Sequence, residues 1–162
     1  MAVSRFGDWE KAKQVLGTNL GARLAQALRQ ATVKNAMLLV REMKKGIRAQ
    51  APGDQPFEPL APSTIKKKGS SKALIDTGFL LASITQLILG DRAFVGLLRG
   101  TRNRTGEEIV NIGAIMEYGA TINHPNGAVI VIPARPFVHP TMEKYRDQII
   151  ENYREAIRSV LG

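Results

Sequence analysis

Between Leu20 and Arg48, apolar side chains recur at mostly three- and four-residue steps: Leu20, Leu24, Leu28, Ala31, then Val33, Met37, Val40, Met43 and Ile47. That spacing lays them along one stripe of an α-helix. Gly17, Thr18 and Asn19 supply a start and Ala51–Pro52–Gly53 a stop, so one helix over 19–49 is expected. At 1.5 Å per residue it is about 40 Å long. The chain has 162 residues, which fits a single domain over 1–162. A compact domain of that size does not need so long a helix. Part of it is therefore expected to pack on something outside its own core.

The remaining segments are short. Residues 52–72 read as an extended, proline-punctuated connection with Phe57 and Leu60 interspersed. A helical turn begun by Ser63 and Thr64 then runs into the basic loop Lys66–Lys67–Lys68–Gly69–Ser70–Ser71–Lys72. The sheet region spans 74–137. There Asp76–Thr77–Gly78 caps a short helix through Ala82, and strands Ile84–Leu89 and Ala93–Leu98 flank the turn Gly90–Asp91–Arg92. Arg99–Gly106 is a second basic, flexible loop. Ile109–Tyr118 is a helix closed by Gly119. A further strand pair, Thr121–Ile122 and Val129–Ile132, surrounds Pro125–Asn126–Gly127. Pro140 and Thr141 open a C-terminal helix over 139–161, striped by Met142, Tyr145, Ile149, Tyr153, Ala156 or Ile157, and Val160. The expected class is α+β: a small antiparallel sheet of about four strands flanked by a long N-terminal and a C-terminal helix.

The chain contains no cysteine. Disulfide scaffolds, thiol catalysis and cysteine-ligated zinc are thereby removed, and synthesis in a reducing cytoplasm fits. No run approaches the ~18 apolar residues that span a bilayer, and Asp8, Trp9 and Glu10 stand where a signal-peptide core would be. No membrane partner is expected. The net charge of +9 is unevenly spread: residues 1–50 hold ten Lys/Arg against three Asp/Glu, and residues 107–162 hold five against seven. A basic half attracts nucleic acid or an acidic protein face, and the same asymmetry suits identical subunits packed basic side to acidic side. Charge alone does not choose between them.

No catalytic constellation stands out. His124 and His139 are isolated beside prolines, without a partner at metal-ligand spacing. Glu143, Asp147, Glu151 and Glu155 step by four residues, which describes a solvated helix face or a protein contact. Asp76–Thr77–Gly78 lacks the glycine-rich loop and lysine of a phosphate cradle. No catalytic, cofactor or metal site is therefore assigned. Lys66, Lys67, Lys68, Lys72, Arg99, Arg102 and Arg104 are the candidate contacts with DNA or an acidic partner. Aromatic residues for base stacking are scarce beside them.

Six short motifs follow one another in a definite order. Pro56-Phe57-x-Pro59-Leu60-x-Pro62-Ser63-x-Ile65 precedes Lys66-x-Lys68-Gly69, then Leu74-Ile75-Asp76-Thr77-Gly78-x-Leu80-x-x-Ser83-Ile84-Thr85. Val95-Gly96, Ala114-x-x-Glu117-Tyr118-Gly119-Ala120-x-Ile122 and Ile132-Pro133-Ala134-Arg135-Pro136-Phe137 complete the series. Over residues 52–140 this succession resembles the tailed-phage virion-morphogenesis family of tail-completion proteins. It is also similar to the related tail-component and neck proteins beside head–tail connectors. One departure is Ile112-Gly113-Ala114, where family members commonly show a Tyr-Ala pair. The resemblance implies a non-enzymatic virion protein of the tail or neck, made in the bacterial host cytoplasm. It implies a homo-oligomeric ring, hexameric by analogy, that joins the tail tube protein to the head–tail connector.

Within that reading Asp76, Thr77, Gly78, Gly119, Pro133, Arg135, Pro136 and Phe137 hold shape. Arg135, at a sheet-to-helix corner, is placed to tie backbone carbonyls or a neighbouring carboxylate together. The long helix and the acidic face of the C-terminal helix are the expected inter-subunit surfaces, and the basic loops the contacts with channel DNA. The rival readings are a free, sequence-independent nucleic-acid-binding protein and a small particle enzyme. The first lacks a reading motif, and the second lacks a carboxylate cluster or histidine pair.

Overall fold

Helix α1 runs from Leu20 to Ala49 and organises everything else in the computed structural model, which describes residues 17, 19–123, 125 and 127–161. Thr18, His124, Asn126 and the Asp8–Glu10 segment, all named above, lie outside the described residues. The helix ends on Gln50 in the left-handed conformation, whose side-chain amide donates to the carbonyls of Ile47 and Ala73 and accepts from the Ala73 N–H. Gly46 sits inside the last turn because Pro52 folds back onto it: a Cβ there would lie 2.6 Å from the Pro52 Cα. The buried residues of α1 are Ala31, Thr32, Asn35, Ala36, Leu38, Leu39, Glu42, Met43, Gly46 and Ile47.

That burial corrects the expected stripe. Val33 and Met37 are exposed, because the buried flank includes Thr32, Asn35 and Glu42, three polar residues with partners on the C-terminal helices. The helix portion before Ala31 buries no residue completely. It lies outside the hydrophobic core cluster, with Leu24, Ala27 and Leu28 half-buried.

The core joins Leu39, Met43 and Ile47 of α1 to Leu80, Ile84, Leu97, Ile109 and Phe137. Around it stand α2 (Pro62–Lys68), α3 (Phe79–Ser83), β1 (Ile84–Leu89), β2 (Arg92–Leu97), α4 (Ile109–Tyr118), β3 (Ala120–Asn123) and β4 (Val129–Ile132). The fold is α+β with four antiparallel strands. They form two separate two-stranded sheets, β1–β2 and β3–β4. The first pairs Ile84 with Leu97 through Leu89 with Arg92, and its inner end lies on α1. The second pairs Ala120 with Ile132 through Asn123 with Val129.

The C-terminal helix is broken at Tyr145 into α5 (His139–Lys144) and α6 (Arg146–Leu161). Of its expected stripe, Tyr145, Ile149, Tyr153 and Ala156 are half-buried and Val160 is buried, whereas Met142 and Ile157 face solvent. These helices run antiparallel to α1 along a polar seam. Thr32 Oγ1 meets the Tyr153 hydroxyl at 2.9 Å, the Asn152 amide donates to Asn35 at 2.6 Å, and the Tyr145 hydroxyl donates to Glu42 at 2.7 Å. Paired polar groups of this kind fix the register of two helices, because sliding either one leaves buried donors unsatisfied.

Candidate functional site

Three of the six motifs converge on one structural knot. Arg135, only 5 % exposed, donates from Nε to the carbonyl of Glu58 at 2.8 Å and from Nη2 to that of Pro59 at 3.0 Å. Its Nη1 reaches the Pro133 carbonyl at 3.4 Å. A guanidinium offers five donors in a rigid fork, so one side chain staples the proline-rich connection to the end of β4. Phe137 is buried in the core beside it, and Thr141 donates to the Phe137 carbonyl at 2.7 Å.

Glu117 supplies the other half of the knot. Its carboxylate is buried and accepts the backbone N–H groups of Phe137 at 2.8 Å, Val138 at 3.0 Å and His139 at 2.8 Å. Those are the unsatisfied donors at the start of α5, where no side-chain cap is present. An anion there is favoured by the helix dipole. Glu117 stands inside one of the six motifs, yet its sequence neighbours give it no role. The signal that could have found it is an accounting one: α5 opens without Ser, Thr, Asp or Asn at its cap.

Gly119 follows directly, with φ 75° and ψ 172°, and a Cβ there would lie 2.9 Å from the Ile132 carbonyl oxygen. Asp76–Thr77–Gly78 directly precedes α3 (Phe79–Ser83). Gly78 occupies the cap position of α3 in a left-handed conformation, and no side chain caps the helix from there. Thr77 Oγ1 accepts the Phe79 N–H at 3.3 Å, while Asp76 lies exposed near Lys68.

The two basic segments are less free than loops. Lys66, Lys67 and Lys68 form the last turn of α2, closed by Gly69, where cations suit the carbonyl end of the helix. Lys68 donates to the Lys72 carbonyl. Partial burial holds its ammonium below its ordinary value, Asp76 offsetting part of the effect and Arg135 adding to it. In the second segment Arg102 donates to the Gly106 carbonyl at 2.8 Å and pairs with Glu108 at 3.3 Å. Asn103 Oδ1 accepts the N–H groups of Thr105 and Glu107 there. Arg99 and Arg104 remain exposed.

Two carboxylates of the acidic face of α5–α6 are paired with cations within the chain. Glu151 contacts Arg158 at 2.7 Å and Arg154 at 3.4 Å, which hold its carboxyl below the usual range, Arg158 the more. Glu155 faces Lys34 at 3.8 Å, and Glu143 faces His139 at 3.7 Å.

A cleft of about 830 Å³ lies between α2, α3, α4 and β4, floored by Leu74, Leu80, Ile109, Ile112 and Met116. Among the described residues no group of three or more His, Cys, Asp or Glu side chains could hold a metal ion. No helix among them is long and apolar enough to cross a membrane.

Among the described residues the β3–β4 hairpin exposes several large apolar side chains. Val129 is 62 % exposed, Ile130 46 %, Val131 67 % and Ile122 43 %. Successive strand residues point to opposite faces, so Ile122 and Ile130 lie on one face, and Val129 and Val131 share the other with Thr121 and Asn123. Neither strand carries a charge. Leu87, Ile88, Leu89 and Phe94 give the outer end of β1–β2 the same character. Soluble proteins guard strand edges with lysine, proline or bulges, and β1, β3 and β4 contain neither Lys nor Pro.

No family model, no curated protein and no solved structure matches the chain.

Proposed function

We propose that this chain is a structural subunit of a tailed-phage virion that closes into a ring at the head–tail junction, in a tail-completion or neck position. The β3–β4 hairpin carries this reading. A two-stranded hairpin is marginal alone in water, and one with exposed valine or isoleucine on both faces and no charge in its strands belongs against another surface. Val129 and Val131 on one face and Ile122 and Ile130 on the other leave apolar surface for a neighbouring subunit to cover.

A heterologous contact, in which one surface of a subunit meets a different surface of the next, generates rings when the rotation closes. The subunit number of six comes from the family resemblance. Three of the six motifs behind that resemblance meet in the Glu117–Arg135 knot, a shape-holding arrangement that supports a building-block role.

The test is the mass of the purified chain by light scattering at low and high salt, with negative-stain imaging of the same sample. Rings or a multimer near six subunits are expected. A strict monomer in both salts, at concentrations up to about 100 µM, would sink the reading.

A further inference from the structure

We infer that the exposed face of α1 is a binding surface for the phosphate backbone of duplex DNA, and that it, rather than the basic loops, makes the DNA contact of the assembled ring. The inference rests on the proposed ring for its setting, though binding is a property of the chain itself.

Helix α1 carries seven Lys/Arg and one acidic residue, Glu42. At 3.6 residues per turn, Arg23, Lys34, Arg41, Lys44, Lys45 and Arg48 fall within about 100° of arc, over a length of about 38 Å. Five of the six are exposed and Lys44 is half-buried. The opposite arc is the core face. Glu42 lies on that side, buried and engaged by Tyr145 and Arg41. The solvent face of α1 thus has no acidic residue at all.

A helix that is merely solvated usually alternates its charges, and this one does not. Lys34 and Arg41 have carboxylate partners, but Arg23, Lys44, Lys45 and Arg48 form no ion pair among the described residues. Duplex DNA presents one charge per ~1.7 Å of axis, and the stripe is about as long as one helical turn of it.

An acidic protein is the weaker fit. The core of a protein interface is apolar and depleted in charge, and the large apolar side chains exposed on this face are only Val33 and Met37. Interfaces with DNA are polar and strongly basic. No aromatic residue occurs in α1, so base stacking is absent and binding is indifferent to sequence. The loops compare poorly, since Lys68 and Arg102 are spent on local carbonyls.

The experiment compares two triple variants of the full chain with equal charge loss. One is Arg23→Gln, Lys45→Gln, Arg48→Gln; the other is Lys66→Gln, Lys67→Gln, Lys72→Gln. Binding to a labelled 30-base-pair duplex of arbitrary sequence is read by fluorescence anisotropy across salt concentrations, with light scattering on the same samples.

The α1 triple is expected to weaken binding at least tenfold at 50 mM salt. It should also flatten the log–log salt slope by about 2 to 3, because each phosphate that a cation neutralises adds ~0.9 to that slope. The loop triple is expected to stay within about threefold of the unaltered chain. Extended polyglutamate, with its sparser charge of one per ~3.3 Å, is expected to compete poorly at equal charge concentration. Equal losses from both triples overturn the inference, as does absence of binding by the unaltered chain at 50 mM salt. Competition by polyglutamate on a par with DNA points to an acidic protein partner and overturns it too. A monomer that loses DNA binding only in the α1 triple upholds the stripe and removes the ring.

Discussion

Glu117 and Phe137 are joined by a 2.8 Å hydrogen bond from a backbone N–H to a buried carboxylate, and the next two N–H groups close on the same side chain. That clasp ties the end of α4 to the start of α5 across twenty residues. It holds the chain where Arg135 staples the proline-rich connection.

Glu117→Gln tests the clasp with almost no change of shape. The amide keeps one acceptor oxygen but turns an NH₂ group toward N–H donors, leaving at least one buried donor unsatisfied. A loss of about 2–4 kcal/mol is expected. Urea unfolding of the two proteins measures it, and a loss below about 1 kcal/mol would falsify the clasp as a stabilising element.

A second prediction concerns pH. The hydrogen bond from Tyr145 is the main reason the Glu42 carboxyl sits below its ordinary value of 4.5, with Arg41 adding to the effect and burial opposing it. From the other end, the bond to Glu42 and then burial raise the Tyr145 phenol above its ordinary 10.0. The unfolded chain takes up the Glu42 proton at a higher pH than the folded one. The bond's contribution is therefore complete above about pH 4.5 and is lost as pH falls through the lowered folded value. The raised Tyr145 value sets the other limit: the contribution is complete below pH 10 and disappears as pH rises through the raised value. Tyr145→Phe should cost about 1.5–3 kcal/mol at neutral pH and flatten the acid fall in unfolding free energy below about pH 4.5, where the lowered Glu42 carboxyl takes up its proton. Parallel curves for the two proteins would rule the coupling out.

Local chemistry made much of this fold legible. Periodicity located α1, and the Gly90–Asp91 turn located β1–β2, because both signals lie within a few neighbouring residues. The buried flank of α1 is hidden from the sequence for the opposite reason. Thr32, Asn35 and Glu42 are buried only because Tyr153, Asn152 and Tyr145 meet them from more than a hundred residues away. A count of apolar residues therefore favours Val33 and Met37. Division of the strands into two sheets is invisible likewise, since each hairpin is specified locally and their mutual placement is not. The role of Glu117 depends on three donors twenty residues downstream. The α1 basic stripe is present in the sequence as a charge excess, but its purity emerges only because Glu42 faces inward.

Gly119 gives a sharper backbone test than any other motif residue. Its φ of 75° with ψ of 172° lies in a region that is essentially reserved for glycine. An added Cβ would also lie 2.9 Å from the Ile132 carbonyl oxygen. Gly119→Ala is expected to destabilise the fold by about 2–4 kcal/mol, strain contributing ~1–3 of it. Thermal unfolding provides the measurement, and an unchanged midpoint would mean the α4–β3 corner takes another path.

The last prediction separates stability from assembly. Val129 and Val131 share one face of β4 and pack little against their own subunit. Replacing both, as Val129→Lys and Val131→Lys, should leave unfolding free energy within about 0.5 kcal/mol, as for other exposed sites. A hairpin buried in a ring interface cannot take two unpaired ammonium groups without a desolvation cost of several kcal/mol each. The double variant should therefore fold normally and run as a monomer in light scattering, where the unaltered chain runs as a multimer. If the variant assembles as the unaltered chain does, the hairpin faces solvent in the assembled state, and the contact must lie elsewhere on the subunit.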